Sequence, residues 1–262
     1  MSEGQIRVSF DGAICRIVLD QPSKMNAMNF DMWSGLPDAI KRAEAEPGIR
    51  VITVEGAGDR AFCAGADISQ FGDKRTGQDA TRAYDAAVSA GMDALFNASK
   101  PTVAIIRGIC FGGGLMLALA CDIRLARGDS RFRLPAARLG LGYGASNVQL
   151  MVQRLGISAA ADILLTARIL DAQDAQRVSI ATGVWPVETF AAESADYVGK
   201  IAANAPLTLA AIKRGLVELS RPENERNLAA VNTLVEHCFA SEDYREGQAA
   251  FREKRDPVFK GR

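Results

Sequence analysis

Two glycine-containing turns are spaced so that each could present a backbone N–H to the same oxygen atom. The first spans residues 62–68, FCAGADI, a small-residue turn after an apolar strand. The second is Gly112-Gly113-Gly114, which ends the strand-like run 103–109 and opens the apolar run 115–121. A helix that begins at glycines leaves N–H groups unpaired, with the positive end of its dipole behind them. Two such donors that converge form an oxyanion hole, which stabilises negative charge on a carbonyl oxygen.

Groups that move protons are scarce in the same part of the chain. No glutamate occurs between Glu55 and Glu188, so this region has a place for an enolate but no glutamate to protonate it. The single histidine, His237, rules out a multi-histidine metal site, and we expect neither a metal nor a cofactor. His237 stands beside Cys238 and Phe239 in an amphipathic helical pattern, which favours a surface or interface position over catalysis.

The length, charge and cysteine content of the chain exclude several classes of protein. The 262 residues suit one large domain, or a domain with a helical appendix. Lysine plus arginine and aspartate plus glutamate both total 31, so no global field attracts nucleic acid or an anionic membrane. We find no signal-peptide pattern and no apolar run of membrane-spanning length. The five cysteines contain no C-x-x-C pair and indicate reduced, mostly buried thiols in a cytoplasmic protein.

The apolar pattern predicts strands in the first half of the chain. Residues 6–10 and 14–19 flank Asp11-Gly12, a dipeptide typical of a hairpin turn. Two of the later strands run into a small-residue turn and a helix, so we expect a repeated strand–helix unit stacked into a spiral. The later predicted strands are 51–54, 103–106 and 123–126, and the helices between them are about 30–45, 79–98 and 114–121.

The last third of the chain is predicted to be helical, because strand signals nearly vanish from about residue 145. We predict an α/β core over residues 1–187 and a helical C-terminal region over residues 188–262. The helical patterns, broken by one glycine and three prolines, are 145–154, 158–167, 188–204, 207–220, 224–240 and 242–254.

Four segments in order resemble the crotonase (enoyl-CoA hydratase/isomerase) superfamily over nearly the whole chain. QPSKMNAM at residues 21–28 is similar to the family's P-x-K-x-N-A-L, and AFCAGADI at 61–68 matches A-F-x-A-G-A-D-[IL]. GICFGGGLMLALACD at 108–122 and AFREKR at 250–255 match two further family patterns. The resemblance implies an α/β spiral of repeated ββα units with a helical C-terminal trimerisation region.

The resemblance also implies which residues bind a coenzyme A thioester and stabilise its oxyanion. The oxyanion donors fall on the amides of Ala66 and Gly113. The backbone from Ala64 through Asp67 to Ile68 is similar to the family's adenine-binding segment. Two of these assignments have alternatives: a glycine triplet alone is more often a tight helix–strand contact, and Asp67, tempting as a base, more often caps a helix after such a turn.

Three more positions resemble substrate contacts. Lys24 is similar to a contact for the phosphates of coenzyme A, although it could be an ordinary solvated lysine. Phe251 and Lys254 resemble residues that close over the acyl-CoA of a neighbouring subunit, and the alternative for Phe251 is helix-packing core. Relatives assemble as trimers or dimers of trimers through their C-terminal helices, so the resemblance implies the same assembly here, with acyl-CoA as substrate and no nucleic-acid or membrane partner.

The chain departs from the family at the positions that transfer protons. Hydratases of the family carry one glutamate two residues after the glycine triplet and another twenty residues later; here these are Met116 and Ala136. Neither side chain has a titratable group. Relatives that carry out dienoyl isomerisation or aromatic dehalogenation have an aspartate eight residues further on, where this chain has Gly144.

This departure favours chemistry that forms an enolate without a carboxylate base. Decarboxylation of a malonyl-type thioester fits, and Tyr143 lies in a stretch that resembles the L-G-V-P-Y of methylmalonyl-CoA decarboxylases. Tyr143 is then either a proton donor or an aromatic that shapes the pocket rim. Arg138 either holds a second carboxylate or lies on the surface. Thioester hydrolysis, hydration or isomerisation with a carboxylate from elsewhere such as Asp67, and acyl-CoA binding without catalysis remain alternatives.

Overall fold

A computed structural model describes residues 4–67, 69 and 78–262, and its strands form two sheets. The strands are β1 (Gln5–Asp11), β2 (Ile14–Asp20), β3 (Val51–Gly56), β4 (Ala61–Cys63), β5 (Thr102–Ile106), β6 (Ile109–Phe111), β7 (Ile123–Arg127), β8 (Arg131–Arg133), β9 (Leu170–Asp171) and β10 (Gly183–Trp185). The larger sheet has the order β1-β2-β3-β5-β7-β10, and the smaller has the order β4-β6-β8-β9. Only the β1–β2 and β8–β9 pairs are antiparallel among these strands.

The described helices follow or connect these strands. They are α1 (Phe30–Ala45), α2 (Gln78–Asn97), α3 (Gly113–Ala120), α4 (Ala145–Leu155), α5 (Ile157–Thr166), α6 (Ala172–Arg177), α7 (Phe190–Ala203), α8 (Pro206–Leu219), α9 (Leu228–Ala240) and α10 (Glu242–Glu253). Short 3-10 helices occur at Pro22–Lys24, Ala136–Arg138 and Glu223–Glu225. Over the described ranges, no helix is both long and apolar enough to span a bilayer.

The chain repeats one unit three times, which confirms the expected spiral of ββα units. Each unit places its first strand in the larger sheet and its second strand in the smaller sheet, and a helix follows. The predicted strand 103–106 is β5, and the strand-like run that continues to residue 109 is divided at Gly108 between β5 and β6. Gly108 has φ +61°, and a Cβ there would overlap the Arg60 carbonyl, so only glycine allows the chain to cross between sheets at this point.

Both faces of the larger sheet are covered. All of β5 is buried, as expected for a parallel strand between two layers. On the outer face, Val103 and Leu125 pack against Phe190 and Val198 of α7. The helical C-terminal region therefore begins with a helix that belongs to the packing of the core, and the division at residue 187 stays a prediction.

The C-terminal third differs from the prediction in its short elements. β9, β10 and α6 were not predicted, because two or three strand residues and six helical residues are too few for a periodic pattern. The helix predicted from residue 224 begins at Leu228 instead. Residues Glu223–Glu225 form a separate 3-10 turn after Pro222, and the Asn227 side chain caps the helix by accepting a hydrogen bond from the Ala230 N–H.

A buried ion pair ties this helical region to the core. Lys213 of α8 is buried, and its Nζ lies 2.8 Å from Oδ2 of Asp122, which directly precedes β7. The same ammonium donates to the carbonyl of Lys100 at 3.0 Å. Since a buried charge is stable only when it is paired and hydrogen-bonded, these contacts fix where α8 sits on the core.

Candidate active site

The two predicted amide donors lie side by side. β4 and β6 are parallel neighbours, so the turns after them emerge at the same edge of the smaller sheet. A Cβ at Gly65 would lie 3.4 Å from the Gly113 nitrogen, and a Cβ at Gly113 would lie 3.6 Å from the Ala66 nitrogen. The structure thus brings together Ala66 and Gly113, which are distant in sequence.

Local pairing leaves both amides free. The Met28 N–H donates to the Gly65 carbonyl at 2.7 Å, and the Asp67 N–H donates to the Met28 carbonyl at 2.9 Å. In such a parallel bridge the intervening residue, Ala66, directs its own N–H to the opposite side. Gly113 is the first residue of α3, where helical N–H groups have no partner in the helix. Among the described residues, neither amide has an acceptor.

The glycines around these amides serve different purposes. Gly65 and Gly112 have φ values of +111° and +51°, which L-residues rarely adopt. A Cβ at Gly114 would overlap the Cys63 carbonyl, so the tight-contact interpretation of the triplet applies to Gly114. At Gly113, by contrast, a Cβ meets only ordinary van der Waals contacts, the nearest being Trp33 Cζ2 at 3.4 Å.

The two positions of the missing glutamates are buried. Met116 lies on α3 one turn after Gly113, on the same helix face, and packs in the main hydrophobic cluster. Ala136 opens the 3-10 helix that follows β8 and is also buried. Gly144, the third family position, is exposed and precedes α4 without a capping side chain.

Tyr143 presents a buried, unpaired hydroxyl. Its ring packs against the main hydrophobic cluster, and its Oη has no hydrogen-bond partner in the part of the chain that is described. Burial raises the pKa of the phenol above its ordinary value, so the group stays protonated and is a potential donor at neutral pH. Arg138 is exposed at the end of the preceding 3-10 helix.

Asp67 is engaged in a buried cluster and is not a free base. Its carboxylate accepts from Lys24 Nζ at 2.7 Å, from Gln21 Nε2 at 3.1 Å and from the Ser69 N–H at 3.1 Å. Burial raises the pKa of Asp67, but these hydrogen bonds outweigh burial and the pKa is lowered overall. Asp67 is therefore a poor proton acceptor. Lys24 is held by this ion pair rather than free in solvent, although half of its side chain is exposed.

The adjoining adenine-type segment is partly described. The Ala64 N–H donates to the Met25 carbonyl at 3.0 Å, which fixes the turn onto the 3-10 helix that contains Lys24. Ile68, predicted to contact substrate, lies outside the described residues.

We expect Asp67→Asn to flatten the acid branch of the stability curve. Because the folded pKa of Asp67 is depressed, its stabilising contribution is fully present above the unfolded pKa of about 3.9 and is lost as pH falls through the lower folded pKa. Urea unfolding from about pH 6 to about pH 2.5 should show a shallower loss of unfolding free energy in Asp67→Asn than in wild type. Asp11→Asn, at an exposed carboxylate of the hairpin turn, is the control for removing a surface charge. Parallel curves for wild type and Asp67→Asn would contradict this assignment.

The C-terminal candidates lie on the surface. Phe251 is 87% exposed, so its alternative role as helix-packing core is wrong. It borders an apolar groove of about 760 Å³ that Phe239, Tyr244 and Phe259 also line. Lys254 is exposed and ends α10. His237 is exposed in the last turn of α9, which agrees with a surface position.

Trp33 is the residue beside the two amides that sequence reasoning missed. It lies on α1, is 1% exposed, and its ring is the nearest side chain to a Cβ at Gly113. Its Nε1–H has no acceptor among the residues described. An aromatic at helical spacing indicates core packing, so no pattern in the sequence distinguished it.

Comparison with known proteins places the chain among enzymes of one kind. A family model described as enoyl-CoA hydratase/isomerase matches residues 9–262. The carnitinyl-CoA dehydratase of Proteus mirabilis (strain HI4320) is 34% identical over 255 residues, covering 96% of each chain. The 2,3-dehydroadipyl-CoA hydratase of Escherichia coli (strain K12) is 31% identical over 261 residues, covering 98% of this chain and 99% of that protein. The crystal structure of an enoyl-CoA hydratase/carnithine racemase from Magnetospirillum magneticum is 34% identical with a TM-score of 0.92, covering 100% of this chain and 97% of that one.

Proposed function

This chain belongs to the enoyl-CoA hydratase/isomerase family, and we propose that it acts on acyl-CoA thioesters by holding the thioester oxygen between the amides of Ala66 and Gly113. The adjacent N–H groups of these two residues, which have no acceptor among the described residues, carry the proposal. Such preorganised donors stabilise the oxyanion of an enolate as its charge develops. Coenzyme A is part of the substrate, and the proposed reaction uses no separate cofactor.

Decarboxylation of a malonyl-type thioester is the reaction that suits this site best. Cleavage of the bond between C2 and the carboxylate releases CO₂ and leaves the electron pair as the enolate, whose oxygen the two amides hold. A proton from Tyr143 or from water then returns to C2. Neither step needs the carboxylates that Met116 and Ala136 replace, and the lowered pKa of Asp67 argues against it as a substitute base. We further propose that Arg138 meets the substrate carboxylate.

Product analysis with methylmalonyl-CoA and crotonyl-CoA tests this proposal. We expect propionyl-CoA and CO₂ from the first thioester and very slow hydration of the second. Release of free coenzyme A from both would indicate thioester hydrolysis instead. Tight binding of both with no product would indicate an acyl-CoA binder without catalysis. Either of these outcomes would replace decarboxylation as the function.

Tyr143→Phe separates the two roles of the phenol. If Tyr143 donates the proton to C2, the variant should decarboxylate about 10- to 100-fold more slowly, less than a full acid–base loss because water can substitute. The measurement is CO₂ release under saturating methylmalonyl-CoA. Leu141→Ala, in the same loop but with an exposed side chain, is the control and should stay near wild type. An unchanged rate in Tyr143→Phe would assign the ring to shaping the pocket rim.

The coenzyme A portion is proposed to bind at residues 64–68, which follow β4. Lys24 would contact its phosphates, while the backbone from Ala64 through Asp67 to Ile68 would contact adenine. The Lys24–Asp67 ion pair supports this role, because it holds the Lys24 ammonium against this segment.

We propose that the enzyme is cytoplasmic. Four of the five cysteines are buried and unpaired, which fits a reducing compartment.

We propose that the protein assembles as a homotrimer or a dimer of trimers through its C-terminal helices. Large apolar side chains of α8, α9 and α10 are exposed on this region, including Leu216, Phe239 and Phe251. Contiguous exposed apolar surface of this kind marks association sites. In the proposed assembly Phe251 and Lys254 close over the acyl-CoA of a neighbouring subunit.

Charges placed on α8 should weaken this assembly. Ile212 and Leu216 are both more than half exposed, so Ile212→Asp with Leu216→Asp should fold but disfavour apolar contact between subunits. We expect a lower mass by light scattering at micromolar concentration and a raised KM for acyl-CoA. Val187→Asp, an exposed apolar position before α7, is the control and should leave the mass unchanged. A wild-type protein that is monomeric at micromolar concentration would contradict the proposed assembly.

A further inference from the structure

We propose that the indole N–H of Trp33 is a third donor at this site and binds an oxygen carried on C3 of the acyl group. The inference rests on the proposed function and deepens it, because it names a substrate class: thioesters with a hydroxyl, oxo or carboxylate oxygen at C3. A malonyl-type thioester belongs to this class through its free carboxylate.

The position of the indole supports this role. Cζ2 of Trp33 lies 3.4 Å from a Cβ placed at Gly113, and that same Cβ position lies 3.6 Å from the Ala66 nitrogen. Nε1 is two covalent bonds from Cζ2, on the ring edge nearer to Gly113. On the far side of the ring, Cε3 lies 3.3 Å from a Cβ placed at Gly91 of α2. The indole therefore lies between α2 and the start of α3, with Cζ2, two bonds from Nε1, next to Gly113.

The indole N–H of Trp33 makes no hydrogen bond within the described residues, which indicates that its acceptor comes from elsewhere. A buried tryptophan N–H usually has a hydrogen-bond partner, because leaving it unsatisfied destabilises the folded state. Trp33 is 1% exposed, yet within the described part of the chain its Nε1–H meets no acceptor. Phenylalanine would fill most of the same space without this cost. An oxygen of the substrate that accepts this hydrogen bond would satisfy the buried N–H and explain why tryptophan stands at this position.

The geometry favours an oxygen on C3. The two backbone amides already satisfy the thioester oxygen, which is bonded to C1. The next acyl carbon that carries oxygen in common thioesters is C3, two bonds further along the chain, and it lies within a few ångströms of the thioester oxygen. A neutral N–H donor can orient a hydroxyl, oxo or carboxylate oxygen alike, which suits all members of this substrate class.

Two thioesters that differ only at C3 provide the test. Binding of butyryl-CoA and 3-hydroxybutyryl-CoA is measured on wild type, Trp33→Phe and Trp185→Phe, where Trp185 is the second of the two tryptophans. We expect wild type to bind 3-hydroxybutyryl-CoA about 5- to 20-fold more tightly, since a hydrogen bond is made and a buried donor is satisfied. Trp33→Phe should lose this preference with little change for butyryl-CoA. Trp185→Phe should retain it.

If Trp33→Phe does not fold, NMR spectroscopy of the protein with Trp33 intact provides a second test. The chain has two indole N–H signals in ¹⁵N-correlated NMR spectra, and Trp185→Phe assigns them. The Trp33 signal should shift downfield with 3-hydroxybutyryl-CoA and move much less with butyryl-CoA. An equal response to both ligands, or an unchanged preference in folded Trp33→Phe, would overturn the role of Trp33. If wild type binds butyryl-CoA without preferring the C3 oxygen, only this inference fails; if it binds neither thioester, the proposed function fails with it.

Discussion

Gly113→Pro should slow turnover of any acyl-CoA substrate by about 10²–10³-fold while leaving the protein folded. Proline has no N–H, so the variant loses one of the two proposed oxyanion donors outright. Loss of one such donor costs about 10²–10³ in rate. Proline is well tolerated at the first position of a helix, and Gly113 occupies that position in α3 without a positive φ. The measurement is kcat/KM for the native thioester, with circular dichroism and thermal unfolding to establish folding.

Gly113→Ala is the matched control for this variant. It adds a Cβ, which meets Trp33 and Ala66 only at ordinary contact distances, but it keeps the N–H. The ratio of the alanine to the proline rate therefore isolates the contribution of the donor from that of added volume. Unchanged turnover in a folded Gly113→Pro protein would end the assignment of this amide.

Hydration of crotonyl-CoA should be slower than in two-glutamate relatives by orders of magnitude. Each missing acid–base group costs about 10²–10⁴ in rate, and the two losses are not simply additive. The side chains in their places, Met116 and Ala136, are buried and have no titratable group. A water molecule next to Met116 and Ala136 would have no carboxylate to position it or to accept its proton. The wild-type rate, followed by loss of enoyl-thioester absorbance, decides the matter, and a rate typical of the relatives would show that another residue supplies the base.

The double variant Met116→Glu with Ala136→Glu asks whether hydration can be restored. Because the site of Met116 lies within the hydrophobic cluster, burial should raise the pKa of a glutamate there. Only its ionised form is a base, so restored hydration should increase as pH rises through that pKa. The single variant Ala136→Glu is the control. Restored hydration that falls with rising pH would contradict a base at position 116.

The sequence alone determined the kinds of element and the chemistry of the two turns. Apolar patterns that repeat over many residues were enough to predict the hairpin at Asp11-Gly12, the long helices and the strands of the larger sheet other than β10, because these signals are local. The glycines of the A-G-A-D and G-G-G turns indicated that backbone N–H groups could be free, since Gly65 and Gly112 adopt positive φ values that other residues rarely adopt. The missing carboxylates at Met116 and Ala136 were likewise evident from identity alone.

Tertiary structure decided which of these groups meet. The three-residue strands β4, β6 and β8 form only through pairing with one another, yet the β4–β6 pair is what sets Ala66 beside Gly113. A long-range ion pair with Lys24, together with hydrogen bonds from Gln21 and Ser69, outweighs burial and lowers the pKa of Asp67, which makes it a poor base. Trp33 lies beside the two amides because α1 packs on α2 and its ring reaches the start of α3. The period of an amphipathic helix predicts which face is buried but not which element that face meets.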